Sequence, residues 1–173
     1  PVVLSSQSRL TPPASARGVS SDVDQTLMNE LSELTAGALR AERTRDGELT
    51  GDWFCELADD VEVVVSGEGQ APARDSVELA NRVLPHRAYL LSRAVQLLEE
   101  FMRDKGAWQL VTIDLARKAR QQECDFVLSL VFEAEHDPQD YGYTYFDVCF
   151  VRYDNAPKSD LHGRPVKFVV GFH

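Results

Sequence analysis

The chain has 173 residues, 43% hydrophobic and 27% charged, which fits one globular domain able to bury roughly two thirds of its unfolded surface without a metal or a disulfide. Its net charge of −10 and isoelectric point near 4.8 argue against nucleic acid and anionic membrane as partners, because neutralising phosphates needs a basic face and the chain has a deficit of positive charge. A protein partner with a basic surface suits the charge better.

Residues 1–20, rich in Ser, Pro, Ala and Arg without periodicity, read as a flexible N-terminal segment, and 21–173 as a single α+β domain. Ser21 to Asp24 offers a helix cap ahead of Val23, Leu27, Leu31, Leu34 and Ala38, so an amphipathic helix is expected to about Arg43. Leu49 to Leu57 and Val61 to Val65 then form a short hairpin around Ala58-Asp59-Asp60, and 66–74 form a loop. Asp75 or Ser76 caps a second helix, which Pro85 kinks or restarts, and the continuation to about Arg103 carries a broad apolar stripe from Leu84 to Met102. Trp108 to Leu115 reads as a strand, with an unclear boundary into the helix-friendly run that follows.

The strongest signal is Phe126 to Tyr153, two strands joined by a turn over His136 to Gly142. Phe126, Leu128, Leu130 and Phe132 alternate with Val127, Ser129, Val131 and Glu133, and Thr144, Phe146, Val148 and Phe150 with Tyr145, Asp147, Cys149 and Val151, so the even-numbered face is the expected core. A turn centred on Gln139 would set Phe132 opposite Phe146, Leu130 opposite Val148 and Leu128 opposite Phe150. The odd face then places Glu133 beside Tyr145, Glu135 beside Tyr143, and Asp147 across from Val131. Asp154 to Arg164 is a turn-rich connection, and Pro165 to Phe172 alternates as a third strand whose exposed edge could pair two copies as a homodimer. The expected fold is α+β, an antiparallel sheet of hairpins and a meander with helices packed on one face.

Several clusters carry candidate chemistry. Glu133, Glu135, His136, Asp137 and Asp140 have metal-ligand chemistry without the order of a calcium loop or a zinc hydrolase, so a metal-dependent hydrolase over Glu133, Glu135, His136 and Asp137 is the alternative reading. Paired carboxylates at Glu133, Asp147 or Asp154 would need a cleft to act as acid and base. Cys124 or Cys149 with His136 or His162 lacks any nucleophile signature, and the basic run Arg117-Lys118-Ala119-Arg120 is expected to pair with local carboxylates. The three cysteines show no metal or disulfide spacing and favour a reducing compartment, with cytoplasmic localisation expected and a processed start at Pro1 left open. No apolar run reaches the roughly 18 residues that span a bilayer, and no cofactor is expected. The expected partner-binding residues are Glu133, Glu135, Tyr143, Tyr145 and Asp147, in a non-enzymatic protein-binding domain.

Asp46-Gly47, Gly51-Asp52-Trp53, the run VEVVVSG, a helical stretch from Ser76 and the late EHDPQDYGYTYFDVCF together resemble the layout of small uncharacterised bacterial α+β domains, some of which look like immunity proteins of toxin systems. The resemblance covers roughly 46–153 and carries no site residues over. It implies an immunity-type inhibitor that occludes a basic toxin or enzyme. A structural domain of a larger assembly protein is a further alternative.

Overall fold

The computed structural model describes residues 34–137, 139–152 and 163–172. The expected lead-in over 1–20, the start of the first expected helix, and the connection containing Asp154 and His162 lie outside the described residues. In chain order the elements are β1 (Arg40–Arg43), β2 (Leu49–Glu56), β3 (Glu62–Glu68), β4 (Ala71–Pro72), α1 (Arg74–Val83), α2 (Arg87–Glu99), β5 (Gly106–Leu115), α3 (Arg117–Gln121), β6 (Phe126–Ala134), β7 (Thr144–Val151) and β8 (Arg164–Phe172). The strands form one eight-stranded sheet in the order β1-β2-β3-β5-β6-β7-β8, with β4 pairing only with β3.

The sheet is mostly antiparallel. Its exception is β3 with β5, which run parallel with Val63 beside Ile113 and Val65 beside Leu115. A parallel pair needs a crossover long enough to carry the chain back along the sheet, and α1 with α2 supplies it. Between the two helices Pro85 sits in a 3-10 turn, Leu84–His86, because proline has no N–H for the α-helical ladder.

The expected helix up to Arg43 does not extend there. After a 3-10 turn at Ala36–Ala38, Arg40–Arg43 pairs with β2, with Arg40 opposite Phe54 and Ala41 opposite Trp53. Leu34 and Leu39 are buried in the core by this path, and Asn81 of α1 holds the Leu34 N–H and carbonyl at 2.7 and 3.0 Å. Tertiary burial and edge pairing outweigh local helix preference.

The even face is the core, as its alternation requires. Phe126, Leu128, Leu130, Phe146, Val148 and Phe150 join one apolar cluster with Ala80 and Val83 of α1, Leu90, Ala94 and Leu98 of α2, and Val63 and Val65 of β3. Phe126 and Phe150 stack with ring centres 5.0 Å apart, while Trp108 packs on Phe132 and Phe146. The Ser76 hydroxyl accepts from the Ser66 N–H and donates to the Leu115 carbonyl, fastening the start of α1 to β3 and β5.

The register of the main hairpin is two residues away from the expected one. Leu130 faces Phe146, Leu128 faces Val148 and Phe126 faces Phe150. Three successive turns, closed at Asp137 and Asp140, Gln139 and Gly142, and Tyr141 and Thr144, take up the extra residues. They fold Tyr141 back so that its ring meets Phe132 and its hydroxyl donates to Asp104 at 2.5 Å. A shift of two keeps every side chain on its face, so the core assignment survives while the odd-face neighbours change.

The described helices do not all share one face. Ala119 of α3 packs with Val127 and Cys149, which alternate with the core residues and therefore lie on the opposite side of the sheet from α1 and α2.

Candidate binding face and cavity

The five residues expected to bind a partner separate into two groups. Tyr143 is 75% exposed in the turn, and Glu133 and Glu135 are exposed at the end of β6. Glu133 stands opposite Ala107 of β5 and not beside Tyr145. Glu135 has left the strand, its N–H bonded to the Lys105 carbonyl. Asp147 faces Ser129 instead of Val131, accepting from the Ser129 hydroxyl at 2.6 Å and from Lys118 Nζ at 2.9 Å. Lys118 Nζ also lies 6.0 Å from the centre of the Tyr145 ring. Asp147 and Tyr145 therefore serve first to seat α3, and the open part of the expected patch is Glu133, Glu135 and Tyr143.

The expected pairing of the basic run with carboxylates is present. Besides the Lys118 pair, Arg120 Nη2 donates to Asp52 at 3.2 Å, an aspartate only 3% exposed. Burying a carboxylate is costly unless it is paired, and the half-exposed guanidinium supplies the pairing from outside. The other candidate clusters stay apart. His136 pairs with Asp140 at 2.7 Å in the turn, and no group of three or more His, Cys, Asp or Glu among the described residues is arranged to hold a metal ion.

Beside α3 lies a feature that the sequence reading missed, a cavity of about 620 Å³ on the face opposite α1 and α2. Its lining includes Phe54 and Val64 from β2 and β3, Tyr145 from β7, Glu42 and Glu62 at the β1 and β3 positions, and Arg117 at the start of α3. Alternation places these side chains here. Val61, Val63 and Val65 point into the core, so Glu62 and Val64 point the other way, and the parallel register sets them beside Thr112 and Asp114. The VEVVV run and the Asp-Leu-Ala-Arg sequence carried this signal, but only the β3–β5 crossover brings the pieces together.

Asp114 organises the wall of the cavity. It is 5% exposed, and its Oδ1 accepts from the N–H groups of Ala116, Lys118 and Ala119 at 2.8, 3.1 and 3.4 Å. This side chain caps α3 and fixes where Arg117 and Lys118 emerge. The electrostatics of the cavity are read by Glu62, whose carboxyl is held above the ordinary glutamate range by partial burial and then by the negative charges of Glu42, Glu56 and Asp114, with Lys118 opposing.

No described helix is long and apolar enough to cross a membrane. Compared with protein-family models, curated proteins and solved structures, the chain matches none of them.

Proposed function

We propose that this chain is a non-enzymatic binding domain whose sheet face opposite α1 and α2 receives a protein partner with a basic surface. The observation that carries the reading is the charge balance of that face. Around the cavity on that face Glu42, Asp52, Glu62 and Asp114 outnumber Arg43, Arg117 and Lys118, and Lys118 is already paired with Asp147. A surplus of fixed carboxylates suits steering of a basic surface, and the exposed Tyr143 in the turn offers an aromatic ring for anchoring. The resemblance to immunity proteins supports a narrower form, an inhibitor that occludes a basic toxin or enzyme, and three free thiols suit a reducing compartment such as the cytoplasm.

The test compares two triple variants of equal net charge for retention on an immobilised arginine-rich peptide and an immobilised basic protein. Changing Glu42, Glu62 and Glu133 to glutamine should weaken retention roughly tenfold or more, since each charged contact contributes on the order of 1 kcal/mol. Removing the charges of Asp75, Glu99 and Glu100, on the helix side, should weaken it far less. Equal losses would remove the face from the assignment.

A second reading, self-association, is favoured by β8. It is the end strand of the sheet among the described residues, and Val166, Val169, Val170 and Phe172 on it are exposed. An apolar edge strand invites strand addition. Concentration-dependent sedimentation that disappears in Val170→Lys is the expected outcome, and a monomer at all concentrations would end this reading.

A further inference from the structure

We infer that the cavity between β1, β2, β3, β5 and α3 is a recognition pocket for a single guanidinium or ammonium group. This rests on the acidic-face reading for the sign of the partner's charge and adds to it a defined pocket, a ligand chemistry and residues with opposing roles.

The volume of about 620 Å³ lies within the roughly 300–1,000 Å³ range of small-ligand sites, so it can hold a whole basic side chain and part of its backbone. Phe54, Val64 and Tyr145 give it apolar and aromatic walls, the surroundings in which the methylene stem of lysine or arginine packs and its charged head meets ring faces. Glu42 and Glu62 supply acceptors at the lining. Glu42 accepts from the Thr50 hydroxyl at 2.8 Å, which orients its carboxylate.

The alternative of an anionic ligand is disfavoured by how the donors at this site are used. The N–H groups of Ala116, Lys118 and Ala119, which would attract an anion at the start of α3, are all directed to Asp114 Oδ1. Lys118 is held by Asp147 and Ser129. The Arg43 guanidinium donates to the Gly47 carbonyl at 2.7 Å. Arg117 is the remaining cation of the lining, against Glu42 and Glu62; the Glu62 carboxyl is raised first by burial and then by Glu42, Glu56 and Asp114, and it is this second, smaller part that an arriving positive charge relieves.

Glu62 and Arg117 therefore have opposite effects on a bound cation. Glu62 attracts it and Arg117 repels it.

The experiment titrates arginine amide, a diamine, and glutamate as an anionic control into 15N-labelled protein, and then an arginine-containing peptide. Saturable shifts at Phe54, Val64 and Thr112 are expected with the cations and not with glutamate. Glu62→Gln should weaken cation binding roughly tenfold, the usual scale for losing a charge-assisted hydrogen bond. Arg117→Gln should leave it unchanged or tighten it. Free arginine amide binding as tightly per site as the peptide would identify a small cation as the ligand, and tighter peptide binding would identify a partner's side chain. Loss of binding in Arg117→Gln with Glu62→Gln unaffected, or no saturable shift in the cavity with any cation, would overturn the pocket. Peptide binding that depends on Glu133 but not on Glu62 would overturn the pocket and leave the acidic-face reading standing.

Discussion

Asp114 offers the sharpest perturbation of the scaffold that supports the cavity. Its Oδ1 takes two well-formed backbone hydrogen bonds at 2.8 and 3.1 Å and a weaker one at 3.4 Å, in a position 5% exposed. Replacing a capping side chain by alanine costs about 0.5–2 kcal/mol, and hydrogen bonds to a charged acceptor contribute about 1.5–3 kcal/mol each before the two accounts are allowed to overlap. Relief of the repulsion between Asp114 and Glu62 offsets a part of this. Asp114→Ala should therefore destabilise the fold by about 2–3 kcal/mol, a melting shift of roughly 4–12 °C for a chain of this size. Asp114→Asn keeps an oxygen acceptor and should lose about half as much. Because α3 places Lys118 on Asp147, Asp114→Ala and Lys118→Met should be non-additive by about 0.5 kcal/mol or more in a double-mutant cycle read by urea denaturation. A loss under about 0.5 kcal/mol for Asp114→Ala, or strict additivity with Lys118→Met, would refute the capping role.

Glu62, whose carboxyl is raised, keeps its proton in the folded state to a higher pH than in the unfolded state, so its ionisation lowers stability as pH rises from the ordinary glutamate value through the elevated one. Glu62→Gln should be more stable than the parent near neutrality and equal to it below pH 4.5, as urea midpoints at both pH values will tell. The three thiols should resist alkylation in the folded state, since burial pushes Cys55, Cys124 and Cys149 up, Cys124 to about 12 with a further push from Cys149; mass spectra after iodoacetamide should show modification only with denaturant. A β-carbon at Gly106 would overlap the Glu133 carbonyl, so Gly106→Ala should cost about 1–3 kcal/mol, and a melting temperature equal to that of the parent would contradict the close pairing of β5 with β6.

The strands and their faces were legible where alternation is strict. Phe126 to Phe132 and Phe146 to Phe150 repeat with period two, so their core face followed from the sequence, and β8 was found from Val166, Phe168, Val170 and Phe172. The register was not legible, because three turns between Asp137 and Thr144 can absorb two residues without changing any side chain's face. The parallel β3–β5 pair was missed for a related reason, since a crossover of two helices sets which strands become neighbours and no local pattern records it. The candidate site suffered most from this. Asp147 and Tyr145 looked like contact residues on their own strand, and only the return of α3 across that face assigns them to Lys118.

Glu42, Glu62 and Asp114 come from three strands that are far apart in sequence, and their convergence on one cavity is what a linear reading could not assemble. Recognition of a basic group on this face depends on that convergence. The most direct test is the map of 15N–1H shifts produced by an arginine-rich peptide in slight excess. Shifts are expected to concentrate on Phe54, Val64, Thr112 and Tyr145 and to extend towards Glu133, with the amides of α1 and α2 unmoved. Shifts centred on α2 or β8, or none at all at low ionic strength, would contradict recognition on this face.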